Sequence, residues 1–419
     1  MINKTVLGNG VRIVTEKVPA VHSVTIGIWV KTGSRHENGS ESGLAHFIEH
    51  MLFKGTEKRS ACEIARVIDS VGGSINAFTS KEYTCFYVKV LRQHLSLAVD
   101  LLCDIIFKSV FNEEEIENER NVIFQEISMV HDTPDYYVQD LFIQSYFGNH
   151  PLASAILGEV ETVQAFKRRD IVDYFTEKHL VPKKIIISAA GNIEHEEVLA
   201  EVVKRFDHLK DADSETDSFL FTPERKVSYH FRELEQVHIC LGTIGYSQED
   251  DQRYPLYILN AVLGGSMSSR LFQEIRENRG LAYSVFSFTS SFIDTGMFGI
   301  YLGTTKENVK ESLSIVMREL NRITDVEVNG FELTDAKEQL KGNMLLSLES
   351  TDSKMSRIAR SEIYYDEYVP IEDIIEKVDA VSAEEVQEAA KNIFKDDLFT
   401  FTFLGPVKEK DISSDIILL

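Results

Sequence analysis

The residues best suited to chemistry form the short run His46-Phe47-Ile48-Glu49-His50. It lies in the segment from Ser42 to Phe53, where apolar residues recur at the spacing of one helix face. Residues i and i+4 share a helix face, so His46 and His50 can reach one metal ion at about 2.0–2.1 Å, with Glu49 beside them. Two neutral imidazoles and a carboxylate suit zinc. The alternative is two surface histidines that pair with Glu49.

A catalytic zinc ion needs a third protein ligand and keeps its fourth position for water. The next acidic segment begins with Glu113-Glu114-Glu115, whose charge favours the N-terminal end of a helix. Glu119, Ile123 and Glu126 then fall on one stripe of that helix. Glu119 and Glu126 stand about 10.5 Å apart along a straight helix, so they cannot both bind one ion. Spacing alone does not choose between them.

These candidate ligands need a scaffold, and the chain alternates between two kinds of segment. Strand patterns at 24–30 and 84–90 are separated by helix-period segments at 62–70 and 95–107. This alternation predicts a mixed chain of the α+β class.

Two near-equal domains are predicted within the 419 residues. A polar, acidic run near mid-chain separates a catalytic domain (1–210) from a homologous non-catalytic domain (226–419), with an acidic linker at 211–225. Helix-to-strand patterns that end near Asn192 recur near Pro406, which indicates an internal duplication. We expect each domain to be a mostly antiparallel sheet packed by helices, the two forming a clamshell around a central cleft. The alternative is that any two α/β segments share such short patterns.

Composition excludes several classes of protein. Hydrophobic residues make up 43% and charged residues 26%, which is ordinary for globular proteins and unlike collagen-like, disordered or disulfide-rich chains. A net charge of −23 repels phosphate backbones and anionic lipid headgroups, so we expect neither nucleic acid nor membrane as a partner. The same charge is compatible with basic peptides.

Features of targeting and redox chemistry point to a cytoplasmic protein. The chain has no apolar run of about 18 residues, and residues 1–14 predict a hairpin with Asn9-Gly10 at its turn rather than a signal peptide. The cysteines show no close pairing or C-x-x-C spacing, so we expect four reduced core residues, Cys62, Cys85, Cys103 and Cys240.

The inverted motif at 46–50, followed 76 positions later by Glu126, resembles the inverzincin metallopeptidases of the pitrilysin and mitochondrial processing peptidase family. The resemblance covers essentially the whole chain. It implies Glu126 as the third ligand, Glu119 as its supporting partner and one Zn²⁺ per chain. The length and the two similar halves resemble the processing-peptidase branch of bacterial type.

The second half carries a further likeness to this family. Segments 271–276 and 280–284 resemble its second-half signature, in which an arginine and a tyrosine approach the substrate. The resemblance implies these roles for Arg276 and Tyr283, although alone each is an ordinary surface arginine or strand aromatic. The positions that correspond to the metal motif hold Leu256, Leu259 and Asn260. No second metal site is therefore predicted.

Two segments are candidates for substrate binding. After the turn at 72–73, a short strand of small side chains could bind an extended peptide if it lies at a sheet edge. The resemblance agrees, and the candidates are Asn76, Ala77 and Phe78. The alternative is an ordinary core hairpin. Gly264 and Gly265 open a run that resembles the glycine-rich loop of the processing peptidase's non-catalytic subunit, or is simply a flexible loop between helices.

The sequence thus predicts a zinc endopeptidase that cleaves unfolded peptides or extended protein segments. Glu49 would act as general base, while Tyr283 with Arg276 stabilises the oxyanion. The resemblance to processing peptidases, which favour arginine through acidic residues after the distal glutamate, implies a preference for basic peptides at Asp132, Asp135 and Asp140. Related two-half chains pair as dimers, so we expect a homodimer. Two alternatives stay open: a catalytically silent scaffold that resembles respiratory-complex core proteins, and a metal-dependent hydrolase of another substrate.

Overall fold

A computed structural model describes residues 1–209, 219, 221–412 and 418. Within these residues the strands are β1 (Ile2–Val6), β2 (Arg12–Lys17), β3 (Ser23–Val30), β4 (Ser74–Thr79), β5 (Thr84–Leu91), β6 (Ile185–Gly191), β7 (Lys226–Phe231), β8 (Val237–Gly245), β9 (Ala282–Ser291), β10 (Gly296–Thr304) and β11 (Thr400–Gly405). The α-helices are α1 (Leu44–Met51), α2 (Ala61–Asp69), α3 (Leu95–Lys108), α4 (Glu113–His131), α5 (Pro134–Phe147), α6 (Val160–Ala165), α7 (Arg168–Tyr174), α8 (His195–Phe206), α9 (Arg253–Leu263), α10 (Val309–Asp325), α11 (Gly330–Ser347), α12 (Thr351–Tyr365), α13 (Ile371–Ala380) and α14 (Ala383–Ile393).

The chain forms two compact units that each take one segment from the opposite half of the sequence. Unit 1 comprises Met1–Ser128, Ser154–Asp217 and Ser347–Val369. Unit 2 comprises Met129–Ala153, Ser218–Leu346 and Pro370–Leu419. The domain boundaries at 210 and 226 stay a prediction. Residues 211–218 and 220 of the predicted linker lie outside the described residues.

Each unit contains one sheet, and the two sheets share a strand order. The order is β1-β2-β6-β3-β5-β4 in unit 1 and β7-β11-β8-β10-β9 in unit 2. In both sheets one pair is parallel, β2 with β6 and β7 with β11, and the other pairs are antiparallel. Apart from β1, the strands correspond one to one. The predicted α+β class, with two mostly antiparallel sheets packed by helices, is confirmed.

The central strand β3 shows how the sheet of unit 1 buries both of its faces. Ile26 and Ile28 point to one face and join a core that includes α1, α3 and α8. Gly27 and Trp29 alternate to the other face, where the Trp29 indole nitrogen lies 3.2 Å from the Met355 sulfur on α12. A Cβ on Gly27 would approach that sulfur to 2.9 Å, so the glycine leaves room for the helix.

The two halves of the sequence exchange one helix each. Helix α12 belongs to the second half but packs on β3 and β6 of unit 1, whereas α5 belongs to the first half and packs on β8 and β11 of unit 2. In unit 2 a Cβ on Gly242 would lie 2.6 Å from Cζ of Phe142, and the Tyr146 hydroxyl donates to the Gly296 carbonyl at 3.4 Å. Each sheet is therefore covered by a helix from the opposite half.

Most predicted local elements are present, with one error among the cysteines. The N-terminal hairpin pairs β1 with β2, and Gly10 adopts a φ of +94° at its turn. The thiols are free, and three of them are buried, at Cys85, Cys103 and Cys240. The prediction that Cys62 is a core residue is wrong, because α2 buries Ile64 and Ile68 and leaves Cys62 exposed. Within the described part of the chain, no helix combines the length and apolar character needed to cross a membrane.

Candidate metal centre

A buried carboxylate holds the first turn of α1, the helix that carries the histidine motif. Gly43 precedes the helix and has no side chain to cap it. Glu37 is 6% exposed, and its two oxygens accept the N–H groups of Gly43 at 2.9 Å and Ala45 at 2.8 Å. Burial raises the pKa of this carboxyl group to about 8, and the two hydrogen bonds oppose the rise. These bonds fix where α1 begins, and thereby the direction in which the helix face with His46 and His50 points.

Two glycines with positive φ let the chain cross itself at the start of α1. Gly43 has a φ of +97° and Gly158 a φ of +72°. A Cβ on Gly158 would lie 2.4 Å from the Ser42 carbonyl oxygen, and one on Gly43 would lie 2.9 Å from Cα of Gly158. The Thr162 hydroxyl donates to the same Ser42 carbonyl at 2.8 Å. The residues just before α1 therefore pack closely against the segment that precedes α6.

Three side chains of unit 1 bring donor atoms together. The Nε2 atoms of His46 and His50 lie 3.6 and 3.5 Å from the same oxygen, Oε2 of Glu126. The ligand atoms of the three residues all lie within 4.8 Å of one another. Tetrahedral ligands at about 2.1 Å from an ion stand about 3.4 Å apart, close to the two measured separations. Two imidazoles and a carboxylate at this spacing fit zinc.

Glu119 lies behind the three donors rather than among them. Its Oε2 is 3.0 Å from Nδ1 of His50, and its Oε1 is 2.5 Å from Nζ of Lys54. Because Nδ1 of His50 is engaged by this carboxylate, Nε2 keeps its lone pair for a metal. The sequence left open which glutamate of α4 would face the histidines. In the structure Glu126 meets both Nε2 atoms and Glu119 meets the far nitrogen of His50.

Local electrostatics separate the two histidines. Burial, with a smaller contribution from the charge of His50, lowers the pKa of His46 to about 3, so its imidazole is neutral near pH 7. Burial also disfavours the imidazolium of His50, but the hydrogen bond with Glu119 and the charge of Glu126 outweigh it and raise the pKa of His50. Protons therefore compete more strongly with a metal ion at His50 than at His46.

Glu49 lies on α1 between the two histidines and is held by the neighbouring sheet. Burial raises the pKa of its carboxyl, and a hydrogen bond from Thr79 opposes the rise. The Thr79 hydroxyl donates to Oε2 of Glu49 at 2.6 Å. A raised pKa makes a carboxylate a stronger base, as a group that takes a proton from water requires.

The predicted substrate strand is β4, and it lies at an edge of the sheet. In the strand order β4 is last and pairs with β5. Asn76 and Phe78 are exposed, while Ala77 packs against the core. The strand ends at Thr79, which contacts Glu49. The edge position required for peptide pairing is present, and the binding role stays a prediction.

The other predicted site residues belong to unit 2. Arg276 places its guanidinium 4.5 Å from the ring centroid of Tyr283, whose side chain is 77% exposed on β9. Gly264 follows α9, where a Cβ would meet the Ser287 backbone nitrogen at 2.5 Å, and a Cβ on Gly265 would also approach backbone atoms too closely. The structure thus pairs Arg276 with Tyr283 and explains the two glycines by close packing.

Three residues around the metal centre were not singled out from the sequence. Lys54 follows His50 by four positions, one helical turn, and this spacing could have drawn attention to it. Thr79 alternates with Phe78 on β4, so its direction toward the core was readable from the strand pattern. Glu37 accepts hydrogen bonds from residues six and eight positions later, across a loop, and no helix or strand periodicity in the sequence indicates such a contact.

Family models match two long stretches of the chain. Residues 12–160 match the model for insulinase (peptidase family M16), and residues 165–340 match the peptidase M16 inactive domain. A Bacillus subtilis protein named "uncharacterized zinc protease YmxG" is 44% identical over 412 residues, covering 97% of this chain and 98% of that protein. The chain belongs to the insulinase family, peptidase family M16. The family resemblance predicted from the histidine motif is confirmed.

Two further proteins are similar to the chain over nearly its whole length. A Streptomyces coelicolor protein, also named an uncharacterized zinc protease, is 40% identical over 420 residues, which is 98% of this chain and 91% of that protein. The crystal structure of a protease from Helicobacter pylori superposes with a TM-score of 0.89 at 22% identity, covering 97% of this chain and 99% of that one. At this identity the superposition shows a shared fold.

Proposed function

We propose that this M16 chain is a zinc-dependent endopeptidase that hydrolyses peptide bonds in unfolded peptides or extended protein segments. The observation that carries the proposal is the convergence of His46, His50 and Glu126 on one point, with Glu49 beside them. Relatives at 44% and 40% identity are named zinc proteases, which supports the same metal and the same class of reaction. We propose one zinc ion per chain.

The roles of the residues follow from their contacts. A zinc ion bound by the three donors would polarise the scissile carbonyl and lower the pKa of a water molecule toward 7. Glu49 takes the proton from the attacking water and passes it to the leaving amine. The Thr79 hydroxyl donates to Oε2 of Glu49 and so helps to hold the carboxylate in place for proton transfer. Glu119 keeps His50 turned with Nε2 toward the metal.

The edge strand β4 is proposed to bind the substrate backbone. A peptide that adds to β4 forms main-chain hydrogen bonds at the usual strand spacing of about 4.8 Å, largely independent of its side chains. Asn76, Ala77 and Phe78 would line this peptide. Because β4 ends at Thr79, which contacts Glu49, a peptide paired with β4 runs toward the proposed general base. Only a segment in extended conformation can pair in this way, so folded proteins are excluded as direct substrates.

The contribution of unit 2 rests on resemblance. We propose that Tyr283, with Arg276, stabilises the oxyanion that forms at the scissile carbonyl, and that Gly264 and Gly265 contact substrate. The close packing of Arg276 on Tyr283 is compatible with joint action. The processing-peptidase role, the preference for basic peptides, the homodimer and the cytoplasmic location stay predictions.

The variant Glu49→Gln tests the proposal, with Glu114→Gln as control because Glu114 is an exposed glutamate at the start of α4. We expect Glu49→Gln to retain zinc, measured by elemental analysis of the dialysed protein. Its cleavage of an unstructured peptide, measured by mass spectrometry, should fall by about 10²–10⁴-fold, the usual contribution of a general acid–base group. The control should match wild type.

Two results would contradict the proposal. Turnover by zinc-loaded Glu49→Gln at the wild-type rate would remove Glu49 from the mechanism. Absence of bound zinc at saturating supply, together with no cleavage of a mixed peptide library, would favour the catalytically silent scaffold. If the library is cut, the mapped cleavage sites also decide whether basic residues are preferred.

A further inference from the structure

Lys54 lies directly after the metal-binding helix, in a turn that holds its backbone in place. Its N–H donates to the Met51 carbonyl at 3.1 Å, and the following residue, Gly55, adopts a φ of +126°. Gly55 also forms an isolated bridge with Ser60. The backbone of Lys54 is therefore fixed relative to the end of α1.

The side chain of Lys54 ends a short line of charged contacts that reaches His50. Nζ of Lys54 is 2.5 Å from Oε1 of Glu119, and Oε2 of the same carboxylate is 3.0 Å from Nδ1 of His50. The Glu119 side chain is only 4% exposed, and that of Lys54 is 31% exposed. One oxygen of this buried carboxylate thus contacts Lys54, and the other contacts His50.

We propose that Lys54 is a positioning residue for zinc, because it anchors Glu119 so that Glu119 can orient His50 toward the metal. The inference rests on the proposed function of the centre at His46, His50 and Glu126. It extends the set of supporting residues beyond Glu119 to Lys54, which acts through its contact with Glu119.

The physical reason is the cost of a half-paired buried anion. Removing one partner of a buried ion pair leaves an uncompensated charge, which is strongly unfavourable. Without Lys54, Glu119 relieves that cost by turning its carboxylate toward other donors or solvent, and this motion releases Nδ1 of His50. Loss of the group that orients a metal-binding histidine typically weakens metal affinity by about 10–100-fold. Since Lys54 acts through Glu119, we expect the lower end of that range.

The test uses the full-length protein and the variant Lys54→Met. The zinc dissociation constant is measured by competition with a chromophoric chelator, and the visible spectrum of the Co²⁺-substituted protein reports the ligand geometry. We expect Lys54→Met to raise the zinc Kd about tenfold and to alter the Co²⁺ spectrum. Lys54→Arg keeps the charge and should restore both. Lys58→Met is the matched control, because it removes the same charge from an exposed lysine four residues away.

The outcomes separate this inference from the proposed function. Equal zinc affinities for Lys54→Met and Lys58→Met would overturn the role of Lys54. A wild-type protein that binds no zinc at saturating supply would instead overturn the metal centre itself. If Lys54→Met does not fold, Lys54→Ala replaces it, since alanine removes both the charge and the hydrogen-bond donor. An unchanged zinc Kd in folded Lys54→Ala also overturns the inference.

Discussion

Replacing Gly158 by alanine should destabilise unit 1 through the crossing at the start of α1. Gly158 has a φ of +72°, in the left-handed region that disfavours a Cβ. The new methyl group would lie 2.4 Å from the Ser42 carbonyl oxygen and 2.8 Å from Cα of Gly43. Both contacts are with backbone, which cannot rotate away as a side chain would. The backbone at 42–43 or at 158 must shift.

Two costs add to the expected loss of stability. A left-handed conformation costs a residue with a Cβ about 1–2 kcal/mol relative to its preferred conformation. The forced backbone shift resembles overpacking of a core, which costs about 1–3 kcal/mol. We therefore expect Gly158→Ala to lower the free energy of unfolding by about 2–5 kcal/mol. This is a large fraction of the stability of an ordinary domain.

The chain offers its own probe for this measurement. Trp29 is the single tryptophan, and it is fully buried in unit 1, the unit that contains Gly158. Urea unfolding followed by its fluorescence therefore reports the unit in which the substitution acts. With a slope of about 2 kcal/mol per molar urea, the midpoint should fall by about 1–2.5 M.

Gly39→Ala is the matched control. It makes the same chemical change in the loop before α1, where an added Cβ would meet nothing within 4 Å. Exposed substitutions of this kind usually change stability by no more than about 0.5 kcal/mol. If Gly158→Ala and Gly39→Ala unfold at the same urea concentration, the crossing does not constrain α1 and the reasoning is wrong.

Two further predictions use the same fluorescence assay. Glu37→Ala should lower the free energy of unfolding by about 2–4 kcal/mol, because two N–H groups of the first turn of α1 lose their acceptor, and Glu37→Gln should cost about half as much. Equal stability of Glu37→Ala and wild type would show that the carboxylate does not hold the helix. His179 is fully buried, which lowers its pKa to about 3 from 6.5. Below pH 6.5 the unfolded chain therefore binds a proton at His179 that the folded state does not bind. The free energy of unfolding should fall by about 1.4 kcal/mol per pH unit as the pH drops below 6.5. His179→Leu should remove this component of the slope between pH 6.5 and 5, and an unchanged slope would refute it.

Local structure was largely predictable from sequence because its determinants are close together in the chain. The apolar spacing in 42–53 predicted the helix observed at Leu44–Met51, and the acidic start at Glu113 predicted α4. The Asn9-Gly10 turn predicted the first hairpin. Each of these signals lies within a few residues of the element that it specifies.

The helix exchange was not predictable in the same way. The sequences of α5 and α12 do not indicate whether each helix packs on the sheet of its own half of the chain or on the sheet of the other half. The choice depends on contacts such as Phe142 with Gly242 and Met355 with Gly27, which join residues 100 or more positions apart. Since the two sheets share one strand order, both arrangements satisfy the same local patterns.

The metal centre was predictable in its donors and less so in its support. The spacing of His46 and His50 on one helix face leads directly to the observed pair. Spacing could not choose between Glu119 and Glu126, because both lie on one stripe of α4. Only the folded structure shows that Glu126 lies near the two Nε2 atoms and Glu119 near Nδ1 of His50. The contacts of Lys54 and Thr79 likewise depend on elements that meet only in the folded unit.

The most direct test of the metal centre is X-ray diffraction from zinc-loaded crystals at the zinc absorption edge. We expect one anomalous peak per chain at about 2.0–2.2 Å from Nε2 of His46, Nε2 of His50 and a carboxylate oxygen of Glu126. A crystal of zinc-loaded protein with its anomalous peak elsewhere, and none bonded to these three side chains, would contradict the assignment of the zinc site.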